Sequence, residues 1–220
     1  MDTFLNAYGL LSSKLQLQQD EKIWGGFGQY SSQLDVDEAE DIDKTWQQIG
    51  DLIGLDVQEV KDKVSPIKDM YIILDHTRTI LMTITDGCLP SNIGGGSNIR
   101  NILRRVFAIL TKNDWWDKIG GLEGLFDLFS KHKIDLEQVT GPFREYKSFE
   151  SIIKVEHDRW LNTDEAQQKQ LTKLIKKKKG NLSIDDWILA MTSWGIPADT
   201  IAKLSGTAMP NNLYLSLIHI

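Results

Sequence analysis

Three groups of residues in this 220-residue chain have types and spacings that could do chemistry. The first is Asp75, His76 and Arg78. Histidine can serve as a general base or a metal ligand near neutral pH. A metal site needs convergent partners, though, and no such spacing surrounds His76. Asp75 and Arg78 are three apart and can pair on one helix face, so a structural network is the expected role. The second group is Gly94, Gly95 and Gly96, followed by Ser97 and by Arg100, Arg104 and Arg105. Free backbone N–H groups before a helix favour an anion. The Lys-Ser/Thr ending and the preceding strand of a P-loop are missing, so a flexible turn is the other reading. The three arginines favour a nucleic-acid backbone. The third group is the run Lys176 to Lys179, read as a solvated helix end with an RNA contact as the alternative.

These residues must be held by helices, because apolar positions recur at helical and not alternating spacing. Asp37 to Gly50 carries Ala39, Ile42, Trp46 and Ile49. Asp56 with Glu59 forms a capping-box pattern, and that helix should stop before Pro66. Ser65-Pro66 then opens the strongest helix, with Ile67, Met70, Tyr71, Leu74, Thr77, Leu81 and Ile84 on its stripe and Gly87 closing it. Cys88 to Gly96 reads as a loop, and Ser97 as the cap of a helix burying Ile99, Ile102, Leu103, Val106, Phe107 and Leu110. The spacing places Arg100, Asn101, Arg104 and Arg105 on its outer side. Gly121 to Lys131 is a short amphipathic helix. Tyr146 to Lys179 is long and polar, with a break expected near Asn162 to Asp164. Ser183 caps a helix ending at Gly195, and Ala198 to Ser205 is a last short turn. The fold class is therefore all-α, a helical bundle without a solenoid repeat.

Composition narrows the function classes. A net charge of −6 excludes a globally basic nucleic-acid binder but leaves room for a local basic patch. Acids crowd the segment Asp35 to Asp51, whereas no acid lies between Ser97 and Lys112, so a polyanion should meet the later segments. No apolar run approaches the roughly 18 residues that span a bilayer, so no membrane association is expected. The single cysteine, Cys88, excludes an intrachain disulfide and any zinc site built on several cysteines, and fits a reducing, cytoplasmic setting. Most of the seven tryptophans should be core or interdomain anchors, while Trp194, beside the helix stop at Gly195, could instead face a partner. The last residues, Leu215 to Ile220, resemble adapter read-through, so 210–220 is set aside as an artefactual tail.

A specific pattern runs through the middle of the chain. It comprises Leu74-Asp75-His76-Thr77-Arg78-Thr79, Thr85-Asp86-Gly87-Cys88-Leu89-Pro90-Ser91-Asn92, Gly94 to Gly96, and Ile102-Leu103-Arg104-Arg105. It resembles the alanyl-tRNA synthetases, whose pattern is Asp-His-Thr/Ser-Arg, Ala-Asp-Gly-x-x-Pro-Ser-Asn, a glycine run and Leu-Arg-Arg. The archaeal-type branch is the most similar. Ser193-Trp194-Gly195-Ile196-Pro197 resembles the family's Tyr-Asp-Ser-His-Gly-Ile-Pro segment. Asp2-Thr3 and Tyr8-Gly9-Leu10 resemble a disrupted Asp-Thr-Gly-x-Gly-x-Glu-Arg element, with Leu11-Ser12 in place of Glu-Arg.

The resemblance implies a fragment of an alanine–tRNA ligase whose parent uses ATP and Mg2+ to attach alanine to tRNA(Ala). Within it, 1–34 would be a remnant of the catalytic-domain end and 35–209 the helical tRNA-recognition region. The fragment itself would bind no cofactor and be catalytically inactive. Its partner would be the tRNA acceptor stem and not DNA. In the family, the Asn of Pro-Ser-Asn and the Asp of Tyr-Asp-Ser-His-Gly read a G·U wobble pair; Asn92 matches the first and Thr192 stands at the second. Asp2 matches the residue that holds the substrate ammonium, while the ATP-binding arginine has no counterpart. Arg100, Arg104 and Arg105 would meet the stem's phosphates. A non-catalytic helical RNA-binding or interaction module derived from that fold is the alternative, favoured by Thr192 and by the broken motif near Gly9.

Overall fold

The computed structural model describes residues 4–18, 20–30, 42–143, 146–194, 196, 198–210 and 213. Asp2, the acidic run 35–41 and most of the 210–220 tail lie outside the described residues. Among the described residues the secondary structure is helical, with no strand. The chain divides into two compact units, Met1–Lys154 and Val155–Ile220.

In the first unit the helices are α1 (Leu5–Leu15), α2 (Glu21–Tyr30), α3 (Ile42–Ile53), α4 (Val57–Thr85), α5 (Gly94–Lys112), α6 (Trp116–Ile119) and α7 (Gly121–Thr140). Helix α8 (Phe149–Lys177) begins here and continues into the second unit. Helix α4 is the hub, packing against α5, α7, α3, α2 and α1. Its apolar residues explain why: Ile73, Leu74, Ile80 and Leu81 are wholly buried. Leu103, Val106, Phe107 and Leu110 of α5 and Leu125 and Phe129 of α7 supply facing core side chains. A satellite cluster of Ile23, Phe27, Ile49, Ile53, Val60 and Val64 joins α2, α3 and the start of α4.

The sequence predicts two helices meeting at Pro66, but α4 runs through it for 29 residues. An interior proline costs about 3 kcal/mol, since it removes a donor and crowds a carbonyl one turn back. Val60 and Val64 before it and Ile67 and Met70 after it are all buried, so packing on both sides offsets that cost. At its N-terminus Asp56 accepts the Gln58 N–H at 2.8 Å. Glu59 pairs with Lys63 at 3.0 Å. At its C-terminus the Gly87 N–H reaches the Ile84 carbonyl and the Cys88 N–H the Thr83 carbonyl, both at 3.0 Å. This Schellman closure needs a left-handed residue, and Gly87 has φ +95°.

Helix α1 has no side-chain cap of its own. Asp135 of α7 supplies one instead, accepting the Asn6 backbone N–H at 3.0 Å and the Asn6 side-chain amide. Lys14, in the last turn of α1, donates to the Ile119 carbonyl at 2.5 Å, at the end of α6. Helix α7 extends to Thr140, past the expected end at Lys131, with Leu136 still buried.

His132 of α7 is fully buried and meets the Thr77 hydroxyl of α4 at 2.9 Å. Thr77 Oγ donates to the Ile73 carbonyl at 2.6 Å, so it accepts from His132 Nε2–H. Nδ1 is left buried without a partner. Burial pushes the imidazole down to about 4 from 6.5, and Arg78 adds to this against the opposing pull of Asp135 and Asp75. Between these values the unfolded chain holds a proton that the folded chain does not. The stabilisation is therefore complete above pH 6.5 and is lost as pH falls toward 4. His76 and His157 are lowered as well, first by burial, and act in the same direction. Urea midpoints should fall between pH 7 and pH 5, and the fall should shrink in His132→Gln. An undiminished fall in that variant would place the titration elsewhere.

The second unit holds the rest of α8, α9 (Ile184–Thr192) and α10 (Ala198–Ser205). Its core is Leu171, Trp187, Ala190, Ile196, Ala198, Ile201 and Leu213. Ser183 caps α9, as the sequence predicts, and the structure adds the reciprocal bond from Asp186 that makes a capping box. Burial alone would raise Asp186, but the Ser183 N–H and hydroxyl and Lys178, 3.1 Å away, hold it below its ordinary value. The predicted break near Asn162 is absent: the Thr163 hydroxyl donates back to the Arg159 carbonyl at 2.6 Å inside a continuous α8. Thr163 therefore satisfies its hydroxyl within the helix and does not cap a new one.

Candidate nucleic-acid interface

The loop between α4 and α5 is anchored at both ends. The Schellman closure fixes its start, and the Ser91 N–H donates to the Gly96 carbonyl at 3.0 Å, tying its middle to α5. The Ser91 hydroxyl donates to the Ile93 carbonyl at 2.7 Å, a serine turn. Gly94 to Gly96 are not a loop before a capped helix, as the sequence predicts, but the first turn of α5. Ile93 is the N-cap, and the Ser97 hydroxyl donates back to the Gly94 carbonyl at 2.7 Å. The third glycine has a steric reason: a Cβ on Gly96 would strike the Leu89 carbonyl oxygen and Ser91 Oγ. Gly96 is accordingly buried, while Gly94 and Gly95 are exposed.

Asn92 stands exposed at the tip of this loop. Arg100, two turns into α5, donates one guanidinium N–H to the Asn92 amide oxygen and another to the Pro90 carbonyl at 3.3 Å. Arg100 and Arg104 are half-buried and Arg105 is exposed, so the three do not share one fully solvated face. Arg105 also lowers the pKa of His76, second in size to burial. Asp75 lies 3.2 Å from Arg78 and 3.7 Å from His76 Nδ1, and Arg78 covers the Phe4 ring at 5.3 Å. That is a structural network, as the spacing predicts. Among the described residues no group of three or more His, Cys, Asp or Glu could hold a metal ion, and no helix is long and apolar enough to cross a membrane.

Thr192 belongs to the second unit, at the end of α9. It is exposed, and its hydroxyl donates to the Ile188 carbonyl at 2.7 Å. Trp194 is half-buried against the second unit's core. Lys176 to Lys179 close α8 as exposed side chains, with Lys178 paired to Asp186. Sequence reasoning missed Ile93, which is 81% exposed beside Asn92, and the organising role of Ser91. The serine in Pro-Ser-Asn carries a turn signal; an exposed isoleucine carries none.

The family model described as tRNA synthetases class II (A) matches residues 29–208. The chain is 30% identical over 213 residues to the alanine–tRNA ligase of Methanocella arvoryzae, covering 96% of this chain and 24% of that protein. It is 29% identical over 212 residues to that of Nitrosopumilus maritimus, covering 90% and 23%. It is 31% identical over 220 residues to that of Caldivirga maquilingensis, covering 94% and 23%. The chain thus spans about a quarter of the length of these curated relatives. A fixed Pro-Ser-Asn loop on an all-helical scaffold, with a family match over most of the chain, leads to one conclusion: the chain belongs to the class II tRNA synthetases (A), the alanyl-tRNA synthetase family.

Proposed function

We propose that the chain is the tRNA-recognition part of an alanine–tRNA ligase and binds the acceptor stem of tRNA(Ala). The observation that carries this reading is the exposed Asn92, held on a short loop pinned between α4 and α5 and backed by arginines of α5. Phosphate contacts from Arg104 and Arg105 would position a stem without reading it, and a base-edge contact from Asn92 would supply selection. The parent enzyme, on this reading, joins alanine to its tRNA using ATP and Mg2+. The described residues do not fit an ATP site. Ser12 stands where the family has its arginine, and Leu11 beside it is only 2% exposed, packed into the first unit. Acceptor-stem binding is thus the role of this region. On the same proposal, residues 1–34 derive from the catalytic-domain end and 35–209 form the tRNA-recognition region.

Thr192 favours a second reading, an interaction module with altered selection. Its hydroxyl proton is spent on the Ile188 carbonyl, so it offers a base edge only acceptor capacity.

The test is electrostatic. A minihelix carrying the acceptor stem should bind the 220-residue chain with an affinity that falls with salt. Reversing Arg104 and Arg105 should flatten the slope of log K against log salt by roughly 0.7 to 0.9 for each contact removed. Reversing Lys176 and Lys177 should change it less. An unchanged slope after the arginine reversals would leave α5 a solvated helix face and remove the proposal's support.

A further inference from the structure

We infer that Arg100 acts on the RNA through Asn92, as a positioning residue that fixes which way the Asn92 amide faces. The inference rests on the stem-binding reading above. A guanidinium has donors and no acceptor. Its hydrogen bond to Asn92 therefore has only one sense: the amide oxygen faces Arg100, and the NH2 group faces away from it. The second donation, to the Pro90 carbonyl at 3.3 Å, ties the same guanidinium to the backbone two residues earlier. Half-burial of the Arg100 stem and the Ser91–Gly96 backbone bond restrict both partners. With its oxygen turned toward Arg100, Asn92 presents its NH2 donors to an RNA base edge on its outward side. The base-edge group it meets is consequently an acceptor, such as a keto oxygen or a ring nitrogen.

This assigns Arg100 a different job from Arg105, although the two lie on one helix within a stretch free of acids. A phosphate contact would use the guanidinium's charge, and lysine would replace it. A positioning contact uses its fork, which lysine reproduces only in part.

The experiment titrates the full chain with acceptor-stem minihelices bearing G·U or G·C, across a salt series. The proteins are the unaltered chain, Asn92→Ala, Arg100→Met, Arg100→Lys and Asn92→Asp. Arg100→Met should bring the G·U over G·C affinity ratio down toward that of Asn92→Ala while leaving the salt slope unchanged. Arg100→Lys should recover part of the ratio. Asn92→Asp keeps a partner for Arg100 but has no outward donor, so it should lose the ratio as Asn92→Ala does. It also serves if Arg100→Met fails to fold. A flatter slope in Arg100→Met, with its ratio intact, would make Arg100 a phosphate contact and overturn the inference. A preserved ratio in Asn92→Asp would overturn it too. If Asn92→Ala itself leaves the ratio unchanged, the stem-reading proposal fails and this inference with it.

Discussion

Gly124→Ala should destabilise the first unit by about 3 kcal/mol or more, lowering its thermal midpoint by roughly 6 to 12 °C. Gly124 lies in the first turn of α7, directly under the last carbonyl of α6. A Cβ there would sit inside the Ile119 carbonyl oxygen. The backbone is the obstacle, so no rotamer change relieves it. The same carbonyl accepts the Lys14 ammonium from α1, so moving it would also strain the junction between α1 and α6. Gly9 is the control. It is exposed in the middle of α1 with open space around its Cβ position, so Gly9→Ala should stabilise by about 0.5 to 1 kcal/mol. Thermal unfolding of both variants checks this. Equal, small effects would mean that α6 and α7 are not packed as described.

Much of this arrangement was legible in the amino-acid order, and the exceptions share a physical cause. The stripe from Ile67 to Ile84 and the face from Ile99 to Leu110 read directly as buried helix faces, because burial sets their period. The stop at Gly87 and the cap at Ser183 were legible because each depends on residues within one turn. Pro66 and Asn162 to Asp164 misled for the opposite reason. Their local signals oppose a helix, but α4 is held by buried neighbours on both sides of the proline, and Thr163 turns its hydroxyl inward. Helix α1 escaped notice because its cap comes from Asp135, some 129 residues away, which no local window reveals.

At the candidate interface the residue types were legible and their partners were not. Asn92 and the arginines stood out in sequence, and the three glycines read as a loose turn. Only the fold shows that Gly96 is glycine because the Leu89 carbonyl passes over it. Likewise, spacing placed Arg100 and Arg104 together on the outside of α5. The structure instead brings Arg100 back to the loop, to Asn92 eight positions earlier.

The second large effect is expected at Asn92. Arg104 and Arg105 would hold a stem by charge, equally for any sequence. A G·U wobble displaces base-edge groups relative to G·C, and a fixed amide donor meets an acceptor in only one of the two. Asn92→Ala should therefore cost about 1 to 2 kcal/mol on a G·U-bearing stem, a five- to thirtyfold loss of affinity, and little on a G·C-bearing stem. The decisive measurement is the titration of the unaltered chain and Asn92→Ala with both stems at one fixed salt concentration. A loss confined to the G·U stem is expected; equal losses on both, or none on either, would rule out base-edge readout and leave Asn92 as a turn residue.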